Sequence, residues 1–438
     1  LCLMVAMILI GQIVGSYQLD DVLAAGGRIT SHPLYPVVLG LFLLGAFTKS
    51  AQFPFHFWLP NAMAAPTPVS SYLHSATMVK AGVFILLRFQ PALGGTELWF
   101  QVVTGAGLIT LLLGALVALF KHDLKGLLAY STISHLGLIT ALAGIGTPLA
   151  LIAAIFHIVN HAVFKASLFM AAGIIDHETG TRDMRRLSGL ARAMPVTATL
   201  AIIASAAMAG VPLLNGFLSK EMFFEATYVW NNGSPLDNAA PYVAVVAGAL
   251  SAAYSLRFIV TVFFGPEARD LPHEPHEPPV LMRLPVALLV AICLAVGIAP
   301  QAMLGGWLES AAIAILGPEL PHFSLKIWHG VNPALIMSLI AMTLGGLIYL
   351  LPRRWIDGGE EGPWLMRALN FGAAFDWALH MVGKRLPQAG MRYVSAPGLQ
   401  AQLRVMVLMG MAAAWFATGP LDWNIPLPAI TSREVVFA

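Results

Sequence analysis

Eleven long apolar runs, set apart by short polar stretches, divide the 438 residues: 1–18, 34–58, 67–89, 98–120, 124–145, 148–175, 194–229, 240–264, 281–303, 332–351 and 402–419. About 20 mostly apolar residues are needed to cross a bilayer as a helix, and each run meets or approaches that length. Lipid offers a backbone no hydrogen-bond partners, so a chain of such runs must bond within itself. The pattern predicts an all-α, polytopic transmembrane fold of about eleven helices.

Two runs are too long and too interrupted for simple spans. Residues 34–60 hold Lys49, Pro54 and Pro60, and residues 194–229 hold Gly210, Pro212, Gly216 and Lys220. Each reads as a discontinuous helix with a lysine beside its break. Four complete spans separate them, and paired interruptions in corresponding places point to a transport fold built on repeats. The first repeat is expected to start before residue 1, because the chain opens Leu1-Cys2-Leu3 with no initiator Met, basic flank or cleavage site. Both ends are read as truncations.

The longest non-spanning stretch is 352–401. Leu365, Ala368, Leu369, Gly372, Phe375, Leu379 and Val382 recur at helical spacing there, with Asp376 inside the stripe. An amphipathic helix lying along the membrane surface is expected, with a plain linker as the alternative. Residues 267–278 carry Glu267, His273, Glu274, His276, Glu277 and several prolines. The HEPHEPP run offers metal-ligand types without a second ligand set, so it reads as a solvated loop.

Composition sharpens the class. Hydrophobic residues are 58% of the chain, charged residues 11%, and the mean hydropathy is +0.76. Soluble domains carry about 25% charged residues, so this surface needs lipid. A net charge of +2 with no basic stripe excludes nucleic acid. Cys2 and Cys293 lie far apart in apolar runs and suggest neither a disulfide nor a metal site. Alternate loops hold Arg28, Arg88 and Lys326 on one side. The other side holds Lys121, Lys125, Arg182, Arg185, Arg186, Arg192, Arg269, Arg283, Arg353 and Arg354. The second side is cytoplasmic by the positive-inside rule.

Candidate chemistry lies in the ionisable groups within the runs. A charged side chain at mid-bilayer costs about 2.5–3.5 kcal/mol on insertion scales. Lys49, Lys80, Lys165 and Lys220 lie within apolar runs, joined by His56, His74, His157 and His161. His157, His161 and Lys165 are spaced i, i+4, i+8, which sets them on one helix face within an arc of about 80°. Such a row can pass a proton through bridging water, the alternative being three separate packing groups. A lysine at a helix break binds and releases a proton if an acidic partner comes and goes. Alternatively it bonds the carbonyls that the break frees. Glu221 and Glu225 are poorly placed as partners for Lys220, and no acid occupies mid-span before it. Lys125, in Lys121-His122-Asp123-Leu124-Lys125, fits snorkelling and function equally. Asp176, Glu178 and Asp183 with Arg182, Arg185 and Arg186 read as a salt-bridged loop.

Four segments also match a family. Lys49-Ser-Ala-Gln-Phe-Pro-Phe-His-Phe-Trp-Leu-Pro-Asn-Ala-Met, Leu124 to Ser134, Phe156 to Ala166 and Gly216-Phe-Leu-Ser-Lys220 resemble the antiporter-like membrane subunits of respiratory complex I and of multisubunit Mrp-type Na⁺/H⁺ antiporters. The resemblance is strong over about 34–265. Within that family, Met78 to Gly82, Asp176 to Asp183 and the continuation past residue 304 look most like the A-type subunit of the Mrp group. The resemblance implies a proton pathway of Lys49, His56, His74, Lys80, Lys125, His157, His161, Lys165 and Lys220. Lys49 would pair with a glutamate of a preceding helix, His74 would bridge, and Lys220 would stand at the outlet.

It also implies a division into an antiporter-like core (1–265, the sixth to thirteenth family helices), additional transmembrane helices (266–351), a cytoplasmic-side lateral helix (352–401) and a final helix with tail (402–438). The first of the inverted repeats would be truncated. The expected activity is exchange of external H⁺ for internal Na⁺, with K⁺ or Li⁺ in reserve, by one member of a hetero-oligomeric complex in the bacterial plasma membrane. No cofactor or metal is expected, and the chain is read as one component of a transporter, not as an enzyme. The competing reading is a proton-pumping membrane component of complex I.

Overall fold

Proline, glycine and small capping side chains set most of the helix limits. Asp123 accepts a hydrogen bond from Gly126 N at 2.7 Å and opens one helix, which stops at Gly146 with φ 68°. Thr147 then caps Ala150 N at 3.2 Å, Pro148 takes the first helical position, and the next helix runs to Gly180 with φ 70°. Left-handed glycines end helices because they carry no Cβ, and proline starts them because its missing N–H would be unpaired there anyway.

The computed structural model describes residues 1–359, apart from 230–232, 269, 318–322, 324 and 329, together with 377, 380–385, 388, 403, 404 and 406–411. The chain divides into Leu1–Leu369 and Asn370–Ala438. In the second unit the described residues are helical, with a π-helical turn at Met381–Arg385. The greater part of the expected lateral helix and of the final span lies outside the described residues.

Among the described residues thirteen helices have seven or more residues. They are α1 (Cys2–Val14), α2 (Tyr35–Lys49), α3 (Thr67–Ser75), α4 (Lys80–Arg88), α5 (Glu97–Phe120, π-helical at Phe100–Thr104), α6 (Leu124–Ile145), α7 (Pro148–Thr179), α8 (Pro195–Ala209), α9 (Asn215–Val229), α10 (Pro235–Phe263), α11 (Val280–Ile298), α12 (Pro300–Leu316) and α13 (Pro333–Leu350). Six of them, α5, α6, α7, α10, α11 and α13, are long and apolar enough to cross a membrane. The chain is a multi-pass, all-helical membrane protein, but eleven simple runs understate its segmentation.

The run 67–89 is not continuous: it breaks at 76–79, giving three discontinuous segments where two were expected. No Pro or Gly marks this break. Ser50, beyond the end of α2, stitches it, donating to Val79 O at 2.6 Å and accepting from Val83 N at 2.8 Å. Gly82 lets α4 lie on α2, since a Cβ there would stand 2.2 Å from Ala46 O. The run 281–303 is two helices, because the chain turns at Ala299 and Pro300 begins α12. Both ends of α12 are tied down: Gln301 Oε1 accepts from Leu325 N at 3.3 Å, and Ala314 O accepts from Arg88 at the end of α4.

The loops expected on the basic side do gather at one end. Arg257 of α10, fully buried, donates to Leu119 O at 2.6 Å, Lys121 O at 2.8 Å and His122 Nδ1 at 2.9 Å, and pairs with Asp357 at 3.1 Å. The salt-bridged loop is rearranged. Arg185 holds Asp183 at 2.7 Å, and its hydrogen bonds keep that carboxyl below the usual carboxylate range. Arg182 instead pairs with Asp123 at 3.2 Å, and Asp176 faces Lys125. Buried Glu178 lies between His177 at 3.0 Å and His276 at 3.2 Å. Glu277 caps the start of α8, accepting from Val196 N and Thr197 N at 2.9 and 3.1 Å.

α6 is the hub, buried along nearly all its length. It meets α5 along a seam of glycines. A Cβ on Gly107 would stand 2.4 Å from Ala141 N, one on Gly114 2.5 Å from Ser134 N, and one on Gly137 2.4 Å from Leu111 N. Small residues let helix backbones approach where lipid supplies no hydrophobic drive. Gly137→Leu should therefore cost at least the roughly 1–3 kcal/mol of core overpacking. The thermal midpoint and yield of folded protein should both fall, while Gly40→Ala, where a Cβ meets open space, should leave both unchanged. Equal behaviour of the two variants in a fluorescence-detected thermal scan would refute the seam.

Candidate functional site

Five of the nine sequence-predicted bases come together inside the helix bundle. His157, His161 and Lys165 of α7 are fully buried on the face turned to α6 and α9, as their spacing requires. Lys80, the first residue of α4, reaches His161 with Nζ 2.7 Å from Nδ1. Lys220 of α9 turns back to the end of α8 and donates to Met208 O at 2.8 Å, Ala209 O at 2.9 Å and Ser251 Oγ at 2.9 Å. Those three bonds use every donor an ammonium has. Two are to carbonyls freed where α8 stops at Gly210, so carbonyl capping and a buried charge occur together here. The negative end of the α8 dipole favours a cation at that point.

No direct hydrogen bond joins the bases of α7 to one another among the described residues. His157 and His161 have ring centroids 6.2 Å apart and no direct bond. His135 of α6 stands between them, 5.1 Å from the His161 ring and with Nδ1 3.0 Å from His157 Nε2. His157 Nδ1 lies 2.9 Å from Ser219 Oγ. His135 Nε2 lies 3.4 Å from the Tyr254 hydroxyl, which in turn meets Ser251 at 3.0 Å. Lys165 bonds Ser131 Oγ, Leu128 O at 3.2 Å and Met208 Sδ at 3.3 Å. Met208 thus serves two lysines, by its carbonyl and its sulfur.

His135 is the residue that sequence reasoning missed. It is a base in the middle of an apolar run, and the argument that selected the other eight selects it too. Tyr254 and Ser251 carried no comparable signal, since hydroxyls within spans are common. Among the described residues no carboxylate forms an ion pair with Lys80, Lys165 or Lys220.

The other four predicted residues lie apart. Lys49 occupies the last turn of α2 with its side chain exposed, and among the described residues it has no ion pair. His56 stacks on Phe53 at 6.3 Å. His74 is buried between Trp58 and Phe169, with centroids at 6.5 and 6.3 Å. Lys125 faces Asp176 at 3.7 Å on the wall of an open cavity of about 730 Å³, beside Met170, His177 and Pro285. Among the described residues no group of three or more His, Cys, Asp or Glu side chains is placed to hold a metal ion.

Comparison with known proteins gives these bases a context. Residues 1–236 match the family described as NADH:quinone oxidoreductase/Mrp antiporter, TM. A protein of Rhizobium meliloti (strain 1021), the A/B subunit of a probable K(+)/H(+) antiporter, is 57% identical over 435 residues, covering 99% of this chain and 43% of its own length. The A-type subunit of the Na(+)/H(+) antiporter of Alkalihalophilus pseudofirmus is 42% identical over 368 residues, 78% of this chain and 46% of that protein. A chain in the structure of the Mrp complex from Dietzia sp. DQ12-45-1b is 36% identical with a TM-score of 0.78, over 99% of this chain and 47% of that one. A chain of respiratory complex I from Thermus thermophilus is 25% identical with a TM-score of 0.62, over 80% and 66%. The present chain thus spans less than half the length of the curated relatives it matches.

If His135, His157 and His161 form one unit, their losses do not add. Each single Ala variant should lower ion flux strongly. The His157→Ala/His161→Ala pair, and the His135→Ala/His157→Ala pair, should add little beyond either single change, because groups in one network couple. Flux normalised to protein in the membrane measures this. Additive losses in log rate would return the histidines to packing roles.

Proposed function

Because the chain belongs to the NADH:quinone oxidoreductase/Mrp antiporter membrane family and is like the A-type subunits of the Mrp antiporters, we propose that it is the proton-conducting part of a multisubunit cation/proton antiporter. It would work in a bacterial plasma membrane with the other subunits, admitting external H⁺ against internal Na⁺ or K⁺. The R. meliloti relative is named for K⁺ and the A. pseudofirmus relative for Na⁺, so the family likeness leaves the cation between these two. The complex I reading is the weaker, since the likeness to the Mrp complex is closer and covers more of the chain.

The observation that carries this reading is the buried cluster of Lys80, His161, His135, His157 and Lys220, knit by hydrogen bonds and contacting rings across α4, α6, α7, α9 and α10. Each member can hold or release a proton, and burial on this scale serves no packing need that Leu or Phe would not meet at lower cost. Lys80 and His161 share a short bond and form one proton-holding pair. Lys165, held between Ser131 and Met208, is a further base in the same interior. Lys220 is the terminal station. Lys49, His56, His74 and Lys125 belong to the approaches, with the Lys125 cavity as a route from the basic end. Na⁺ and K⁺ favour oxygen ligands, and the cluster offers mostly nitrogen bases. We assign it to the proton and place the cation path elsewhere in the complex.

Lys220→Ala tests the reading directly. Cation-driven proton movement in everted vesicles should fall to background with the complex still assembled. Lys220→Arg should fail equally, since a guanidinium does not deprotonate in proteins. Unimpaired antiport by either variant at matched abundance would remove Lys220 from the path.

A further inference from the structure

Between His135 and Lys220 lie two hydroxyls that the cluster of bases does not account for. Tyr254 is fully buried on α10, and Ser251 sits one turn before it. Their bonds form an unbroken series: Lys220 Nζ to Ser251 Oγ at 2.9 Å, Ser251 Oγ to Tyr254 Oη at 3.0 Å, and Tyr254 Oη to His135 Nε2 at 3.4 Å. From His135 the series continues through Nδ1 to His157 Nε2 at 3.0 Å, and from His157 Nδ1 to Ser219 Oγ at 2.9 Å. Every step can be donated in the same direction. Lys220 gives to Ser251, Ser251 to Tyr254, Tyr254 to His135, His135 to His157, and His157 to Ser219. No group is asked to donate or accept beyond its capacity.

We infer that Tyr254 and Ser251 are the proton link between Lys220 and the histidines, with the Tyr254–His135 contact as its controlling step. The inference rests on the proton-conducting reading above. The transfer balances within the chain. An N–H bond breaks at the Lys220 ammonium as Ser251 Oγ takes that proton. Ser251 passes its own hydrogen to Tyr254 Oη, and Tyr254 passes its own to His135 Nε2. Lys220 ends neutral and His135 ends as the cation, while each hydroxyl keeps one hydrogen. The reverse direction uses the same bonds. At 3.4 Å the last contact is longer than a good O–H···N bond, so a small approach of α10 to α6 closes it and a small retreat opens it.

One other route exists on the same line. A void of about 20 Å³ is lined by Ser134, His135, Leu138, Lys220, Phe223 and Ser251 among others. That is room for about one water. A lone water there would meet mostly apolar walls, whereas the hydroxyl series is already bonded at each end. We therefore assign the link to the hydroxyls and make the water an outcome of the test.

The test uses the whole antiporter complex in everted vesicles. Tyr254→Phe keeps the ring and removes only the hydroxyl. Maximal flux should fall by about 100-fold, the lower range for a positioned proton-transfer group. The cation concentration for half-maximal flux and the yield of intact complex should not change. Ser251→Ala should behave alike, while Ser251→Thr, which retains a hydroxyl, should restore most of the flux. Lys220→Ala is run beside them. Full flux in Tyr254→Phe, or equal flux in the Ala and Thr variants at Ser251, would overturn the inference and pass the link to the water, even with Lys220→Ala inactive. Full flux in Lys220→Ala as well would instead strike the underlying reading.

Discussion

A lysine ammonium can be kept inside an apolar helix bundle only if acceptors replace the water it has lost. This constraint organises the first unit more than any other. Removing an ion from water costs several kcal/mol even after relaxation, and the carbonyls freed at a helix end are the readiest acceptors. The chain meets the need in part by interrupting helices. Lys220 takes two carbonyls at the end of α8, Lys80 opens the half-helix after the break at 76–79, and Lys165 reaches Leu128 O on α6 together with two side chains. The break at the end of α8 and the convergence of α4, α7 and α9 on α6 bring these acceptors within reach.

The constraint demands a fixed reference, and the α5–α6 seam supplies it. With three glycines closing the seam to backbone contact, rotation of α6 would drive it into α5, and its His135 is held facing α7 and α10. Packed cores move between discrete arrangements and do not deform continuously. Adjustment therefore falls to the helices packed around α6.

Much of this was legible in the sequence and some was not, for identifiable reasons. The breaks after Lys49 and before Lys220 were marked by Pro54, Gly210 and Pro212. The break before Lys80 was invisible because its cause is tertiary, a serine about thirty residues earlier. The row His157, His161, Lys165 was legible as a shared face, since periodicity alone fixes that. Its hydrogen bonds were not, because they run to other helices, and α6 contributes a ring between the two histidines. Lys49 sits among apolar neighbours in the sequence, and within the described residues its side chain is exposed. Hydropathy measures composition along the chain and does not say which side of a helix meets protein. The helix α12 was missed because Gly305, Gly306, Glu309 and Ser310 dilute its apolar character.

The donors between Lys220 and Ser219 can all be turned the same way. A hydrogen-bonded file whose members all point one way carries a memory of the last proton to use it. If a proton passes from Lys220 to His135, both hydroxyls finish facing backward, and a second proton cannot follow until they turn. Turning costs the Tyr254 hydroxyl its partners for a moment. Such a file is a counter as well as a conductor: it admits one charge, then waits to be reset.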